Sequence, residues 1–233
     1  MPKTLARPRR QRRSTTSPPA QPLAHVVSLA DLLHHLGDIP PHRIRLHPLP
    51  GTATERDVIA INELKESLCE LVDGTLVEKA MGTKESLMAS VLIQILWNHV
   101  ERLDLGLVLG ADGMLRLRRG LIRVPDVSFI SWARLPGKEL PDEPVASVVP
   151  DLAVEVLSDS NTPAEIARKL DEYFATGVSL AWIVDPKSRT IDVYSSRTDV
   201  RHLRNGQSLD GGDVLLGFKM PLKQFFARMN RKR

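Results

Sequence analysis

A single cysteine, Cys69, occurs in the chain, which excludes an internal disulfide and any thiolate metal cluster. It reads as a small apolar residue buried in a reducing compartment. Aromatic residues make up only 4% of the 233. Aliphatic side chains must therefore fill most of the core that a hydrophobic share of 42% makes sizeable. No run approaches the ~18 consecutive apolar residues of a membrane span. The N-terminal arginines are not followed by the apolar stretch of a secretory signal, so a cytoplasmic location is the expectation. No P-loop, no GxGxxG and no GxSxG nucleophile elbow is present, so no nucleotide cofactor is expected. The seven histidines are scattered without metal-ligand spacing.

Acids are missing from both ends. Residues 1–13 hold Lys3, Arg7, Arg9, Arg10, Arg12 and Arg13, and residues 228–233 hold Arg228, Arg231, Lys232 and Arg233. Removing these ten from the 32 Lys and Arg leaves 22 bases against 28 acids, so the formal +4 of the chain conceals an acidic body. Basic tails can add nonspecific phosphate affinity that weakens with salt, or they can serve only as solubilising ends. An acidic body argues against a broad basic nucleic-acid platform and is compatible with a metal-binding cleft.

What is present divides into a tail and one domain. Residues 1–24 are rich in Arg, Pro, Ser and Thr and have almost nothing to bury, so disorder is expected there. A single domain is expected over 25–227, with its core at about 68–196 and a short basic tail at 228–233. Ser28 reads as the N-cap of a short helix stopped by Gly37. ATERDVIAINELKES reads as a helix with Val58, Ile61 and Leu64 on its apolar stripe. LCELVDGTLVEK reads as a hairpin turning at Asp73-Gly74. A long helix is expected over about 84–104, with a wide apolar face that includes Leu87, Met88, Leu92 and Leu96. LVLGADGMLRLRRG suggests a second hairpin turning at Asp112-Gly113. VPDVSFIS and PDLAVEVLS read as strands. The next helix is capped at Asn161 or Thr162, has Pro163 near its first position, and ends at Gly177. LAWIVDP reads as a fully covered strand. Strands joined largely by hairpins, interleaved with helices, predict an α/β fold with a mixed sheet flanked by helices.

Three residues stand out chemically. Glu155 lies between Val154 and Val156, where a carboxylate is costly unless paired, hydrogen-bonded or bound to a cation; a structural ion pair is the ordinary alternative. Asp126 follows Pro125 at the start of a strand, where a turn aspartate is the ordinary alternative. Lys169 is three residues after Ile166 and four before Tyr173, so it borders the inward stripe of its helix; snorkelling would also place a lysine there. Two carboxylates and a lysine suit metal-assisted phosphodiester hydrolysis. The acids would hold Mg²⁺ (or Mn²⁺), which prefers oxygen ligands and keeps waters. The lysine would position the attacking water or stabilise developing charge. Glu85, in the first turn of the long helix, either complements the helix dipole or serves as an auxiliary acid. Asp112 is a further acidic candidate or a simple turn residue.

The pattern PD…EVLS…K…Y…G resembles the Uma2 family of restriction-endonuclease-like proteins, a branch of the PD-(D/E)-x-K nuclease superfamily. ELVDGTLVEK, the helix after Gly82, VPDVSFIS, PDLAVEVLS, ARKLDEYFATG, AWIVDP and LDGGDVLLGF stand in family order, over about residues 55 to 226. The resemblance implies a restriction-endonuclease-like α/β core with an N-terminal extension, divalent-metal nuclease chemistry on DNA, and a bacterial cytoplasmic origin. Asp126 matches the acid of the PD element and Glu155 that of the second element. The superfamily's usual lysine, two after this glutamate, is replaced by Leu157; Lys169 on the following helix is its counterpart in this branch. A histidine common near the start of the long helix is replaced within MGTKES, where Glu85 is the nearest substitute. The rival reading is a nuclease fold that no longer cleaves and binds nucleic acid or a protein partner. Cutting both strands of a duplex needs two active sites or two events, which a homodimer would supply.

Overall fold

The computed structural model describes residues 26–64, 67–80 and 82–229. The tail expected to be disordered at 1–24, and all but the first two residues of 228–233, lie outside the described residues.

Local signals place the first elements. Helix α1 (Leu29–His35) begins on a reciprocal cap. The Asp31 amide donates to Ser28 Oγ at 3.2 Å, and the Asp31 carboxylate accepts from the Ser28 amide at 2.9 Å. This satisfies donors that have no partner within the helix. Gly37 follows with φ +88°, and a Cβ there would lie 2.6 Å from the backbone of Glu165, so only glycine allows this close approach. Helix α2 (Glu55–Glu63) starts on a similar Thr54–Asp57 box. Its Val58 is fully buried, but Leu64, expected on the same stripe, falls beyond the helix end and is exposed. Strands β1 (Cys69–Val72) and β2 (Thr75–Glu78) form the first hairpin, turning through Asp73 and Gly74, both at positive φ, as a tight two-residue turn requires. Helix α3 (Thr83–Arg102) buries Met88, Ala89, Leu92, Leu96 and Val100 on one side only. Leu87, expected on that face, and Trp97 point to solvent, so the buried face is narrower than the sequence suggests.

The second expected hairpin does not form. Strand β3 (Gly106–Leu109) pairs with β6 (Val127–Ser131), whereas β4 (Leu115–Arg118) pairs with β5 (Leu121–Arg123). The Asp112–Gly113 signal is locally real, since the Gly113 amide donates to the Gly110 carbonyl at 3.1 Å. Its flanking strands find better partners elsewhere. β3 lies so close to β6 that a Cβ at Gly106 would meet the Ile130 carbonyl, while Leu115, Leu117 and Leu121 share one apolar cluster. Cross-strand packing, not the turn, decides pairing.

Two sheets result. The smaller has the order β2-β1-β5-β4. The larger has the order β10-β9-β8-β7-β6-β3, with β7 (Leu152–Val156), β8 (Leu180–Asp185), β9 (Thr190–Tyr194) and β10 (Val200–Leu203). Among the strands of the described residues, only β7 and β8 pair in parallel, and helix α4 (Pro163–Thr176) supplies the crossover that a parallel pair needs. Thr162 caps α4 with its hydroxyl accepting from the Glu165 amide at 3.0 Å, and Gly177 ends it at φ +101°. The sheet is therefore mixed and flanked by helices, as expected.

Alternation along β7 sorts its side chains to opposite faces. Leu152, Val154 and Val156 join α3, the hairpin β11 (Ser208–Gly211) and β12 (Leu215–Pro221), and helix α5 (Leu222–Arg228) in the largest apolar cluster. This core runs to Phe226, well past residue 196, because Leu209, Leu215, Phe218 and Phe225 cover the face that carries Trp182 and Val184. On the opposite face Ala181 and Ile183 pack against Ile166 and Leu170 of α4, and Glu155 lies on that side. Among the described residues, no helix is long and apolar enough to cross a membrane.

Candidate active site

The chain crosses from the small sheet to the large one at Val124–Asp126, between β5 and β6. Asp126 is stitched to β7 twice. Its amide donates to the Val154 carbonyl at 3.0 Å, and its Oδ2 accepts from the Val156 amide at 2.6 Å. These bonds straddle Glu155 and bring the two acids of separate strands together. Oδ1 of Asp126 takes the Lys79 ammonium at 2.8 Å. Lys79 also donates to the Val124 carbonyl.

Glu155 projects toward α4. Lys169 Nζ lies 2.9 Å from its Oε2, and the Tyr173 hydroxyl donates to its Oε1. Lys169 and Tyr173 are one helical turn apart, so the same face of α4 presents both. Lys169 does not snorkel: its side chain is 2% exposed. Its ammonium also approaches Glu70 Oε1 of β1 at 3.5 Å. Glu70 continues the chain of charge, accepting from the Val124 amide at 3.0 Å and pairing with Arg123 Nη1 at 2.6 Å. Arg123 binds Glu172 through Nε at 2.8 Å, Glu172 accepts from Arg168, and Arg168 reaches Asp73 at 2.7 Å. Buried charges thus alternate in sign from the acids to the first hairpin turn, as the cost of burying any one of them unpaired demands.

Burial would raise Glu70, but Lys169 and Arg123 outweigh it and hold this carboxyl well below the ordinary value of 4.5. Glu155 responds in the opposite sense. Burial raises it above that value, Lys169 works against the rise, and Asp126 adds to it. Burial would lower the Lys169 ammonium, yet Glu155 and Glu70 together raise it, so it stays charged at neutral pH. A depressed folded-state value means that Glu70 contributes stability that is full above pH 4.5 and lost as pH falls toward its folded value. Glu70→Gln is expected to cost about 3 kcal/mol at neutral pH. In parallel thermal melts its Tm deficit should be constant above pH 4.5 and shrink below it. A deficit that holds or widens in acid would contradict this role for Glu70.

The network opens to solvent at Lys79. A cleft of roughly 450 Å³ is lined there by Lys79, Glu78, Glu85, Arg43 and Ser158 to Ser160. Glu85 thus reaches the mouth of the site, where its carboxylate also folds over the Gly82 N-cap of α3, and both readings of this residue retain support. Asp112 is exposed on the turn between β3 and β4 and does not line this cleft. A divalent ion is implied by the resemblance, and the donor chemistry fits one. Asp126 and Glu155 are hard oxygen donors close enough for one to raise the other. Mg²⁺ keeps several waters and needs few protein ligands. Among the described residues, no cluster of three or more His, Cys, Asp or Glu is suited to a metal.

The structure also adds residues not singled out from the sequence: Glu70, Lys79, Arg123 and Glu172. Glu70 sits between Cys69 and Leu71, the same carboxylate-in-an-apolar-strand signal that marks Glu155. Arg123 ends the apolar LIR strand. Lys79 follows the end of β2, where a lysine is ordinary, and no local signal distinguishes it.

The family profile that matches residues 59–223 is described as "Uma2: Putative restriction endonuclease". A crystal structure from Anabaena variabilis, titled as that of a putative nuclease belonging to DUF820, shares the fold with a TM-score of 0.62 at 18% sequence identity. The match covers 71% of this chain and 93% of that one. No curated protein matches the chain.

Proposed function

The chain belongs to the Uma2 restriction endonuclease family, and from that membership we propose that it is a divalent-metal-dependent endonuclease hydrolysing DNA phosphodiester bonds. The observation that carries the proposal is the convergence of Asp126, immediately before β6, and Glu155, in the neighbouring β7, with Lys169 seated on Glu155. Asp126 and Glu155 are the residues that would hold Mg²⁺ or Mn²⁺. The ion, when bound, supplies a water of lowered pKa and neutralises charge developing on the phosphate.

The remaining work belongs to the protein. The Val156 amide fixes the Asp126 carboxylate. The Tyr173 hydroxyl and the Lys169 ammonium fix both oxygens of Glu155. Preorganisation of this kind lowers the reorganisation required in the transition state. Lys169 acts as a positioning residue, since Glu155 and Glu70 hold it away from solvent. At the cleft rim, Lys187 pairs with Asp159 at 2.6 Å, and Lys84 lies near enough to stabilise the same carboxylate. These exposed cations suit the phosphate backbone of a nucleic acid.

Each acid already carries an ammonium partner. That observation favours the second reading, a nuclease fold serving as a binding module in which the pairs are structural. Incubating the protein with a labelled DNA duplex decides between them. Internal cleavage is expected with Mg²⁺ or Mn²⁺ and none in excess chelator. Binding without cleavage at any metal concentration would establish the module instead.

A further inference from the structure

Lys79 is the feature that the reading above leaves unused. Its ammonium contacts Asp126 Oδ1 at 2.8 Å, the acid that the proposed function assigns to a metal. Its side chain is 4% exposed, and the residue lines the cleft that also holds Glu78 and Glu85. The second lysine of the site differs on both counts. Lys169 is locked between Glu155 and Glu70 on the far side of the acids and does not line that cleft.

In Lys79 the backbone is the held part and the stem the rotatable one. It lies just after the last residue of β2, Glu78, and its amide is anchored to the Leu68 carbonyl at 2.7 Å. The backbone is thereby fixed while a four-carbon stem with free rotation carries the charge. The ammonium's other acceptor is the Val124 carbonyl, a neutral group that costs far less to leave than a second carboxylate would.

We propose that Lys79 is a tethered counter-ion which occupies the Asp126 side of the metal site and is exchanged for the incoming divalent cation. In the metal-free protein it keeps Asp126 from being a buried unpaired charge. On exchange the ammonium swings to the cleft, where a substrate phosphate would lie. Metal affinity is then set by competition between a diffusing ion and a charge held at high local concentration. The inference rests on the metal-dependent reading above but makes a claim about binding that needs no turnover.

Calorimetric titration of the full chain with Mn²⁺ tests it. Lys79→Met removes the competitor with little change of shape and is expected to bind Mn²⁺ about tenfold more tightly than wild type, or tighter still, as close charge pairs of this kind are coupled strongly. Lys79→Arg keeps a cation and should gain nothing. Adding Asp126→Asn to Lys79→Met should abolish the gain. A merely structural lysine predicts the reverse order, because losing it would misplace Asp126 and weaken binding. Should Lys79→Met fold poorly, Lys79→Gln offers a hydrogen-bonding substitute, with melts taken in the same buffers. If wild type binds Mn²⁺ and neither neutral variant binds more tightly, the exchange is overturned while the nuclease reading stands. If no form binds Mn²⁺, both fall.

Discussion

Replacing Glu155 with glutamine is expected to reduce metal-dependent DNA cleavage by about a thousandfold or more while leaving the protein folded. The size follows from what is removed: one of two candidate metal ligands, in a site where single preorganised electrostatic groups each contribute about 10²–10³ in rate. The fold survives because the change is gentle. A glutamine side-chain oxygen can still accept from Tyr173, and Glu70 remains near Lys169 at 3.5 Å. Burial already disfavours the charged form of Glu155, so a neutral amide relieves a cost as well as losing a pair. Asp126→Asn should behave alike, since the Val156 amide keeps an acceptor. Rates on a labelled duplex under excess Mg²⁺, with melts as the folding control, measure the effect. A Glu155→Gln protein that cleaves within about tenfold of wild type would remove this residue from the site.

The largest expected stability effect lies one step away, at Arg123. Its guanidinium is 4% exposed and bridges Glu70 at 2.6 Å and Glu172 at 2.8 Å. Arg123→Met keeps the apolar stem and deletes the charge, leaving two buried carboxylates to share Lys169 and Arg168. Breaking one partner out of a buried ion network costs about 3–5 kcal/mol, a large fraction of the roughly 5–15 kcal/mol by which a domain is stable. Equilibrium urea unfolding should show the unfolding free energy falling by that amount, through a lower midpoint at an unchanged slope. A loss below about 1 kcal/mol, the scale of an exposed pair, would mean that the network is wetter than its burial indicates. The effect is one of removal. Exchanging a whole buried ion group for well-packed apolar residues often carries no such cost.

The sequence was most legible where local chemistry decides structure. Ser28, Asp73-Gly74, and Pro163 with Gly177 each mark a cap or turn that forms as read, and of Asn161 and Thr162 it is Thr162 that caps α4. Period-two alternation assigned Glu155 to the face opposite Val154. Helix phase put Lys169 on an inward edge, and the structure sets it within 2.9 Å of Glu155. Legibility failed where partners are chosen at long range. Asp112-Gly113 makes its turn, yet β3 and β4 join different sheets. Glu70 carried a readable signal, but the value of a carboxylate in an apolar strand shows only once its partners, fifty and a hundred residues away, are in place. Lys79 carried no local signal, because its position beside Asp126 depends on the docking of a hairpin end against a sheet junction.

That junction bears on when the proposed activity can exist at all. Asp126 owes its position to β7 through the Val154 carbonyl and the Val156 amide, while the residues just before it belong to β5 of the other sheet. The large sheet sets Asp126 beside Glu155, but the Lys79 and Glu70 side chains that complete the charge network reach it from the small one. The complete charge network therefore needs both sheets docked, and a nascent chain or a locally opened one would hold these residues without the proposed activity.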